Sequence, residues 1–414
     1  MKSKILAENG GFEPPEACTS IDFKSTAIDR SANSPLNLRN YNTKLKIFHN
    51  VTEVFFLMSV SKVYKSDKRA NSEIEKLLQS EGIRRDKNLD YTCAVYDEDY
   101  KVIATGSCFG NTLRCMAVSH EHQGEGLMNE IVSHLIQYEY ERKIFHLFLY
   151  TKCNSAKFFG DLGFYEIVRV ENQIVFMENR KTGFNDYLTE LSKTKVDGEK
   201  IAALVLNANP FTLGHLYLVE KASRENDFVH VFIVSEDMSL VPFDVRKKLV
   251  IEGTSHLKNL IYHETGDYII SSATFPSYFQ KDDSAVIESH ANLDLSIFVK
   301  IAKTLGINSR YVGEEPKSLV TGIYNRIMST KLPEHNINCV IVPRKTVVAS
   351  SDLSGHFTVN GEAISASNVR QAIKNNEIEK IKNLVPESTY KFFTSPEAEK
   401  IINRIRGSEN VVHY

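Results

Sequence analysis

Apolar residues along this chain keep two rhythms, and each change of rhythm marks a new element. Between Asn71 and Gln79 they recur at helical spacing, at Ile74, Leu77 and Leu78. Tyr91–Tyr96 and Val102–Phe109 are rich in β-branched and aromatic residues and predict two strands, joined by the polar turn Asp97-Glu98-Asp99. Leu113–Val118 predicts a third strand. After Gln123-Gly124-Glu125-Gly126 comes a predicted helix, Leu127–Tyr140, apolar at 127, 128, 131, 132, 135 and 136. His146–Tyr150 then predicts a strand, and Ala156–Leu162 a short helix closed by Gly163-Phe164. Antiparallel strands followed by a strand–loop–helix unit imply a mixed α+β domain over residues 58–182.

Beyond a polar stretch at 183–199, expected to link domains, the pattern changes. Ile201–Asn207, His230–Ser235, Asn259–His263, Arg310–Gly313 and Cys339–Pro343 predict strands. Gly214–Ser223, Asp244–Gly253, Leu293–Leu305 and Val320–Ser329 predict the helices between them. Such alternation argues for a parallel sheet covered on both faces, the doubly wound α/β fold class, here spanning 200–395. Residues 396–414 are expected to form a C-terminal tail. At the other end, Met1–Asn50 keeps neither rhythm and carries Gly10-Gly11 and Pro14-Pro15 among many Ser, Asn and Asp. Residues 1–57 are therefore expected to be a disordered extension. A sharper expectation is that they are foreign to the working protein, which would start at Met58. Gly11-Phe12-Glu13-Pro14 can be encoded by the complement of a transfer-RNA T-arm, as if an upstream gene were read through.

Composition narrows the classes. The chain has 414 residues, 42% hydrophobic and 25% charged, enough to bury more than one core. Fifty basic residues against 52 acidic ones leave a net charge of −2, which gives no electrostatic footprint for nucleic acid or an anionic membrane. No apolar run reaches the length of a membrane span. The six cysteines, at 18, 93, 108, 115, 153 and 339, form no C-x-x-C pair, so reduced thiols in a cytoplasmic protein are expected.

The first chemical signal is the apolar strand ending in Asn207-Ala208-Asn209-Pro210-Phe211-Thr212-Leu213-Gly214-His215. Ligands in open α/β sheets sit beyond the carboxyl ends of the strands. Pro210 shapes the turn, and Gly214 lets a phosphate approach the amides that open the helix. His215, in the first turn, is placed to donate to a phosphate oxygen, and its imidazolium form would offset charge that grows during phosphoryl transfer. Asn207 and Asn209 add neutral donors and acceptors. The second signal is Ile364-Ser365-Ala366-Ser367-Asn368-Val369-Arg370. Ser365 or Ser367 can cap the following helix, and Arg370 offers a forked guanidinium to phosphate oxygens. Arg246 or Lys248, in Pro242-Phe-Asp-Val-Arg-Lys-Lys248, could reach the same ligand, although such a run is by itself more typical of a solvated basic face.

Thr212-Leu-Gly-His215 resembles the H/T-x-G-H signature of the adenylyl- and cytidylyltransferase superfamily, and Ile364–Arg370 matches its I-S-S/A-T/S-x-x-R element. Over residues 58–395 the chain resembles the citrate lyase ligase family. The strings that carry this likeness are Gly266–Phe279, Leu293–Phe298, Val312-Gly-Glu-Glu-Pro316 and Val320–Asn325. The resemblance implies an acid–thiol ligase that uses ATP, expected with Mg2+, to form acetyl adenylate and diphosphate. Acetate would then pass to the prosthetic-group thiol of the citrate lyase acyl carrier protein, a group derived from dephospho-CoA. It implies phosphate and transition-state stabilisation by His215, a phosphate hydrogen bond from Thr212 and contact of Arg370 with the β- and γ-phosphates, and a nucleotide site with Asn207, Asn209, Pro210, Phe211, Gly214, Arg246, Gly313, Glu314, Ser365 and Ser367. No acidic metal motif accompanies them. Residues 58–180 resemble the GNAT acetyltransferase fold, with Gln123, Gly124 and Gly126 at its pyrophosphate loop. Met128 stands where that loop ends in a small residue. These three residues are the candidate holders of the CoA-like arm, beside the alternative of a purely structural domain. A cofactor-making nucleotidyltransferase, a GNAT acetyltransferase using acetyl-CoA and a nucleotide-sensing regulator remain as rival readings.

Overall fold

The computed structural model describes residues 59–236, 238–269, 283–314, 319–343, 358–359, 362–409 and 411. The expectations for 1–57, for Met58 and for most of the Gly266–Phe279 string lie outside the described residues. The first half forms a mixed sheet of β1 (Ser61–Lys62), β2 (Tyr91–Tyr96), β3 (Val102–Phe109), β4 (Thr112–Val118), β5 (Phe148–Thr151), β6 (Tyr165–Val170) and β7 (Ile174–Glu178), with helices α1 (Lys68–Ser80), α2 (Leu127–Glu141) and α3 (Ala156–Asp161). The strand order is β1-β2-β3-β4-β5-β7-β6. Every pairing is antiparallel except β4 with β5, which run parallel and touch in register only at Thr112–Phe148 and Leu113–Leu149 before they diverge. One face packs on α2 and α3 through Leu113, Leu149, Ile131 and Leu135.

The second half is the doubly wound α/β unit that the alternation predicts. Strands β8 (Ile201–Leu206), β9 (Phe228–Ile233), β10 (Leu260–Glu264), β11 (Ser309–Gly313) and β12 (Asn338–Val342) are all parallel, in the order β10-β9-β8-β11-β12. Its helices are α4 (Gly183–Ser192), α5 (Leu213–Glu225), α6 (Phe243–Gly253), α7 (Asp283–Leu305), α8 (Leu319–Lys331), α9 (Ala366–Lys374), α10 (Glu387–Phe393) and α11 (Glu399–Gly407). On one face Leu204, Leu206 and Val231 pack against Val219, Leu249, Val369 and Ile405. The residues after 395, expected as a tail, thus bring α11 into this core, with Ile401, Ile402 and Ile405 buried.

The opposite face is shared between the two halves. Ile201, Ala203 and Phe232 of the parallel sheet, Phe148, Ile167, Val168 and Phe176 of the mixed sheet, and Ile297, Phe298 and Ile301 of α7 belong to one apolar cluster. From Ser289 to Phe298 every residue of α7 except Ser296 is buried. Such all-round burial marks an interior helix rather than a surface one. The polar stretch at 183–199 contains α4, which adds Phe184 and Leu191 to the same cluster. Glu178, at the end of β7, accepts from the Phe184 amide (2.7 Å) and the Tyr268 hydroxyl (2.9 Å) and pairs with His146 (2.7 Å). Gly183 permits this approach, since a Cβ there would stand 2.1 Å from Glu178 Oε2.

Inside the parallel sheet His230 Nδ1 and His263 Nε2 lie 2.7 Å apart, and burial pushes both imidazoles down to about 4. Above pH ~6.5 neither the folded nor the unfolded chain protonates them. Between about 6.5 and 4 the unfolded chain binds protons that the folded chain refuses, so stability falls as pH falls. By pH 5 the loss is expected to reach up to about 2 kcal/mol per histidine at 1.36 kcal/mol per unit. Chemical denaturation at pH 7 and pH 5 measures it, and a His230→Gln/His263→Gln double variant should show a flatter profile.

Candidate nucleotide site

Strand order reverses between β8 and β11, and at such switch points open parallel sheets form their crevices. A cavity of about 360 Å³ lies there, over the carboxyl ends of β8, β11 and β12. Asn207, Thr212, Gly214, His215, Gly313, Glu314 and Ser365 all line it, so both phosphate-type motifs and the Gly313-Glu314 pair converge on one space. Gly214 is the contact between the motifs: a Cβ there would lie 3.5 Å from the Ile364 carbonyl. Two helix N-termini therefore open toward the same cavity, and their dipoles favour an anion there.

A capping box sets the chemistry of His215. Thr212, the N-cap of α5, accepts from the His215 amide through Oγ1 (3.3 Å), while the Thr212 amide donates to His215 Nδ1 (3.0 Å). A backbone amide can only donate, so Nδ1 carries no proton and the ring is the neutral Nε2–H tautomer. An imidazolium would set two donors face to face. The expected imidazolium role thus gives way, in this geometry, to a neutral donor at Nε2. Phe211, fully buried, lies nearly parallel to the His215 ring at a centroid distance of 5.9 Å. At the second motif Ser365 caps α9 by accepting from the Asn368 amide (3.1 Å).

Other expected ligands stand behind the wall. The peptide bond before Pro210 is cis, and Asn209 is buried with Oδ1 accepting from the Val241 amide at 3.0 Å. Arg246 is fully buried. Its guanidinium donates to the carbonyls of Val241 (3.0 Å), Asn207 (2.9 Å), Val234 (2.8 Å) and Glu236, and to Asn207 Oδ1 (2.9 Å). The expectation of direct nucleotide contact by Arg246 is corrected accordingly, because donors spent on carbonyls cannot also hold a phosphate. Arg370 is likewise buried and donates to the carbonyls of Val411 (2.7 Å) and Asn209 and to Ser367 Oγ (3.3 Å). It ties the second motif to the first from outside the cavity. Thr321, Tyr217 and Pro343 also line the space, without having been singled out as ligands. Thr321 stands inside the Val320–Asn325 string, whereas Tyr217 and Pro343 lack any motif.

Gln123, Gly124 and Gly126 line a separate cavity of about 570 Å³ where β4 and β5 diverge, together with Met128, Tyr150 and Lys152. Gly124 (φ 91°) and Gly126 (φ 85°) hold left-handed backbone that a side chain would strain, and Gly126 is the N-cap of α2. Among the described residues no helix is long and apolar enough to cross a membrane, and no group of three or more metal-ligating side chains gathers.

Residues 201–393 match the family described as citrate lyase ligase C-terminal domain. The chain is 37% identical over 330 residues to a [citrate [pro-3S]-lyase] ligase of Escherichia coli (strain K12), covering 80% of this chain and 92% of that protein. It is 34% identical over 333 residues to a [citrate [pro-3S]-lyase] ligase of Haemophilus influenzae, covering 79% and 96%. Among solved structures it is similar to a putative acyl-CoA N-acyltransferase from Klebsiella pneumoniae, at 14% identity over 30% of this chain and 96% of that one, with a TM-score of 0.26. With full-length relatives above 30% identity and a family match across the parallel-sheet half, the chain belongs to the [citrate [pro-3S]-lyase] ligase family of enzymes.

Proposed function

We propose that this enzyme activates citrate lyase by ATP-dependent acetylation of the thiol on the lyase's acyl carrier protein, through acetyl adenylate. The observation that carries the reading is the cavity at the strand-order reversal, lined by Thr212, Gly214 and His215 of the first motif and by Ile364, Ser365 and Ala366 of the second. ATP enters as its magnesium complex, the cation riding on the triphosphate as part of the substrate. An acetate oxygen attacks the α-phosphorus and pyrophosphate leaves. The carrier sulfur then attacks the acetyl carbonyl carbon, and the bond to AMP breaks.

The protein's part is positioning and charge stabilisation. His215 donates through Nε2 to a phosphate oxygen as negative charge builds. Thr212 fixes the tautomer and the ring direction. Gly214 leaves room for the nucleotide against the opening of α5, and Ser365 with the first turn of α9 receives the outer phosphates. Asn207, Gly313 and Glu314 complete the wall. Arg246 and Arg370 act as positioning residues, holding Asn207 and Asn209 from behind, with Pro210 and Phe211 filling the turn. In the first half, Gln123, Gly124 and Gly126 hold the nucleotide end of the carrier's dephospho-CoA-derived arm.

The test is an incubation of purified enzyme with labelled acetate, ATP and thiol-form carrier. Acetate-dependent pyrophosphate release together with label on the carrier is expected. Label arriving only from acetyl-CoA would overturn the reading in favour of an acetyltransferase.

A further inference from the structure

Asn207 directly follows β8 at the strand-order reversal and lines the nucleotide cavity. Its side-chain amide has one orientation. Oδ1 stands 2.9 Å from Arg246 Nη1 and 3.3 Å from the hydroxyl of Ser239, itself buried in the connection between β9 and α6. A guanidinium only donates, so the atom that faces it is the oxygen, and the amide cannot be turned over. The main-chain carbonyl of Asn207 accepts from the same Arg246 nitrogen at 2.9 Å. Both oxygens are thus spent on the back wall, and Nδ2 is what the side chain has left to offer a ligand.

Asn209, two positions on, shows the opposite arrangement. It is buried, its Oδ1 accepts from the Val241 amide at 3.0 Å, and its Nδ2 is sealed in without a partner. Asn207 is only partly buried, and its Nδ2 is neither sealed nor bonded to any of the described residues. The open space beside it is the nucleotide cavity. Among the described residues neither lysine nor arginine lines that cavity, and the capping box makes His215 a neutral donor. Charge that develops on a phosphate is therefore met, among these residues, by neutral donors, which stabilise it most when they need not reorient. Hydroxyls rotate, whereas the Asn207 amide is locked from behind.

We propose that Asn207 is a second catalytic donor beside His215: Nδ2 donates to an α-phosphate oxygen, and Ser239 is a positioning residue that, with Arg246, keeps Nδ2 turned to the cavity. The inference rests on the ligase reading above, in which Ser365 and α9 receive the outer phosphates and the first motif takes the inner one. As the acetate oxygen bonds to the α-phosphorus, the bond from that phosphorus to the bridging oxygen breaks and pyrophosphate leaves with the electron pair. Nδ2 and the His215 Nε2 share the charge on the non-bridging oxygens, and no proton moves.

The test is acetate-dependent exchange of pyrophosphate into ATP on full-length variants, with their denaturation midpoints. Asn207→Asp keeps an oxygen for Arg246 and Ser239 but sets an acceptor where Nδ2 stood. It should melt no lower than wild type and lose about 100-fold or more in kcat, with KM for ATP raised by less than about tenfold. A merely structural Asn207 predicts the reverse, since a carboxylate suits a buried guanidinium. Ser239→Ala should lower kcat about three- to tenfold, the net worth of one hydrogen bond, with KM for ATP little changed. In the Asn207→Asp background the same change should cost nothing further. Exchange by Asn207→Asp within a few-fold of wild type would overturn the proposal, and so would a loss confined to KM. If the aspartate variant melts low, Asn207→Ala decides, assayed well below its own midpoint: a loss of the same order is expected, and a near-wild-type rate overturns the assignment. A full Ser239→Ala effect persisting beside Asn207→Asp would remove Ser239 from the proposal. Wild-type enzyme lacking acetate-dependent exchange would remove the ligase reading itself, and this inference with it.

Discussion

His215→Ala is expected to lower acetate-dependent pyrophosphate exchange roughly 100- to 1,000-fold, the usual cost of one preorganised donor lost from a charge-stabilising site. The capping box separates catalysis from folding here. Nδ1 accepts from the Thr212 amide, so only Nε2 is available for the phosphate. An asparagine can offer Oδ1 near the place of Nδ1 and keep the cap, yet it has no atom that reaches the position of Nε2. His215→Asn should therefore melt close to wild type and show nearly the full rate loss. His215→Ala keeps the Thr212 side-chain bond but leaves the Thr212 amide without its partner, and should give up about 1 kcal/mol of stability. Exchange rates and denaturation midpoints on the two variants decide the point. A His215→Asn enzyme within a few-fold of wild-type activity would end the assignment of His215 to the reaction.

Arg246→Met is expected to be the most destabilising single change at the site, by about 3–5 kcal/mol, because each buried acceptor left without a donor costs about 1–3 kcal/mol. The side chain is fully buried and satisfies four backbone carbonyls and the Asn207 side-chain oxygen at once. Methionine fills much of the volume but donates nothing, so those acceptors stay buried and unpaired. Lysine keeps the charge but not the fork, and Arg246→Lys should fall between wild type and Arg246→Met. Because Asn207 lines the nucleotide cavity, the surviving folded fraction of either variant should show a raised KM for ATP. Urea denaturation followed by circular dichroism measures the first effect. A midpoint for Arg246→Met unchanged from wild type would contradict it.

The parallel-sheet half was legible in the sequence because each strand is a continuous apolar run and each crossover helix keeps its own period. Motif order then indicated which strand ends matter. The fate of Arg246 was not legible. It begins a run of three cations, Arg246-Lys247-Lys248, that read together as a basic face. Successive residues on a helix turn by roughly 100°, so the three side chains part company. Arg246 enters the core, Lys247 meets Glu264 (2.5 Å) and Lys248 meets Glu397 (3.2 Å). Nothing local distinguishes them, because the acceptors of Arg246 come from two connections, the loop after β8 and the long one between β9 and α6. Helix α4 was hidden for a related reason: it is mostly polar, and its anchor Glu178 is completed by Tyr268, ninety positions along the chain. β6 went unnoticed because a register shift between Glu166 and Val168 breaks the alternation that marks a half-buried strand, and β7, buried along its whole length, has no alternation to show. The exposed ends of Arg246 and Arg370 that phosphate binding would need were expected from residue type. Only the folded chain shows their donors turned to carbonyls instead.

The buried stretch of α7, with the mixed sheet on one side and the parallel sheet on the other, governs how this enzyme can be taken apart. A gene fragment encoding only the parallel-sheet half would leave bare the flank of α7 now covered by Phe148, Ile167 and Val168. Its product would be sticky and short-lived in the cell, and a fragment of the first half alone would carry the complementary bare face. Exchange of modules between relatives, in the laboratory or in evolution, therefore has to bring α7 and both of its neighbours together.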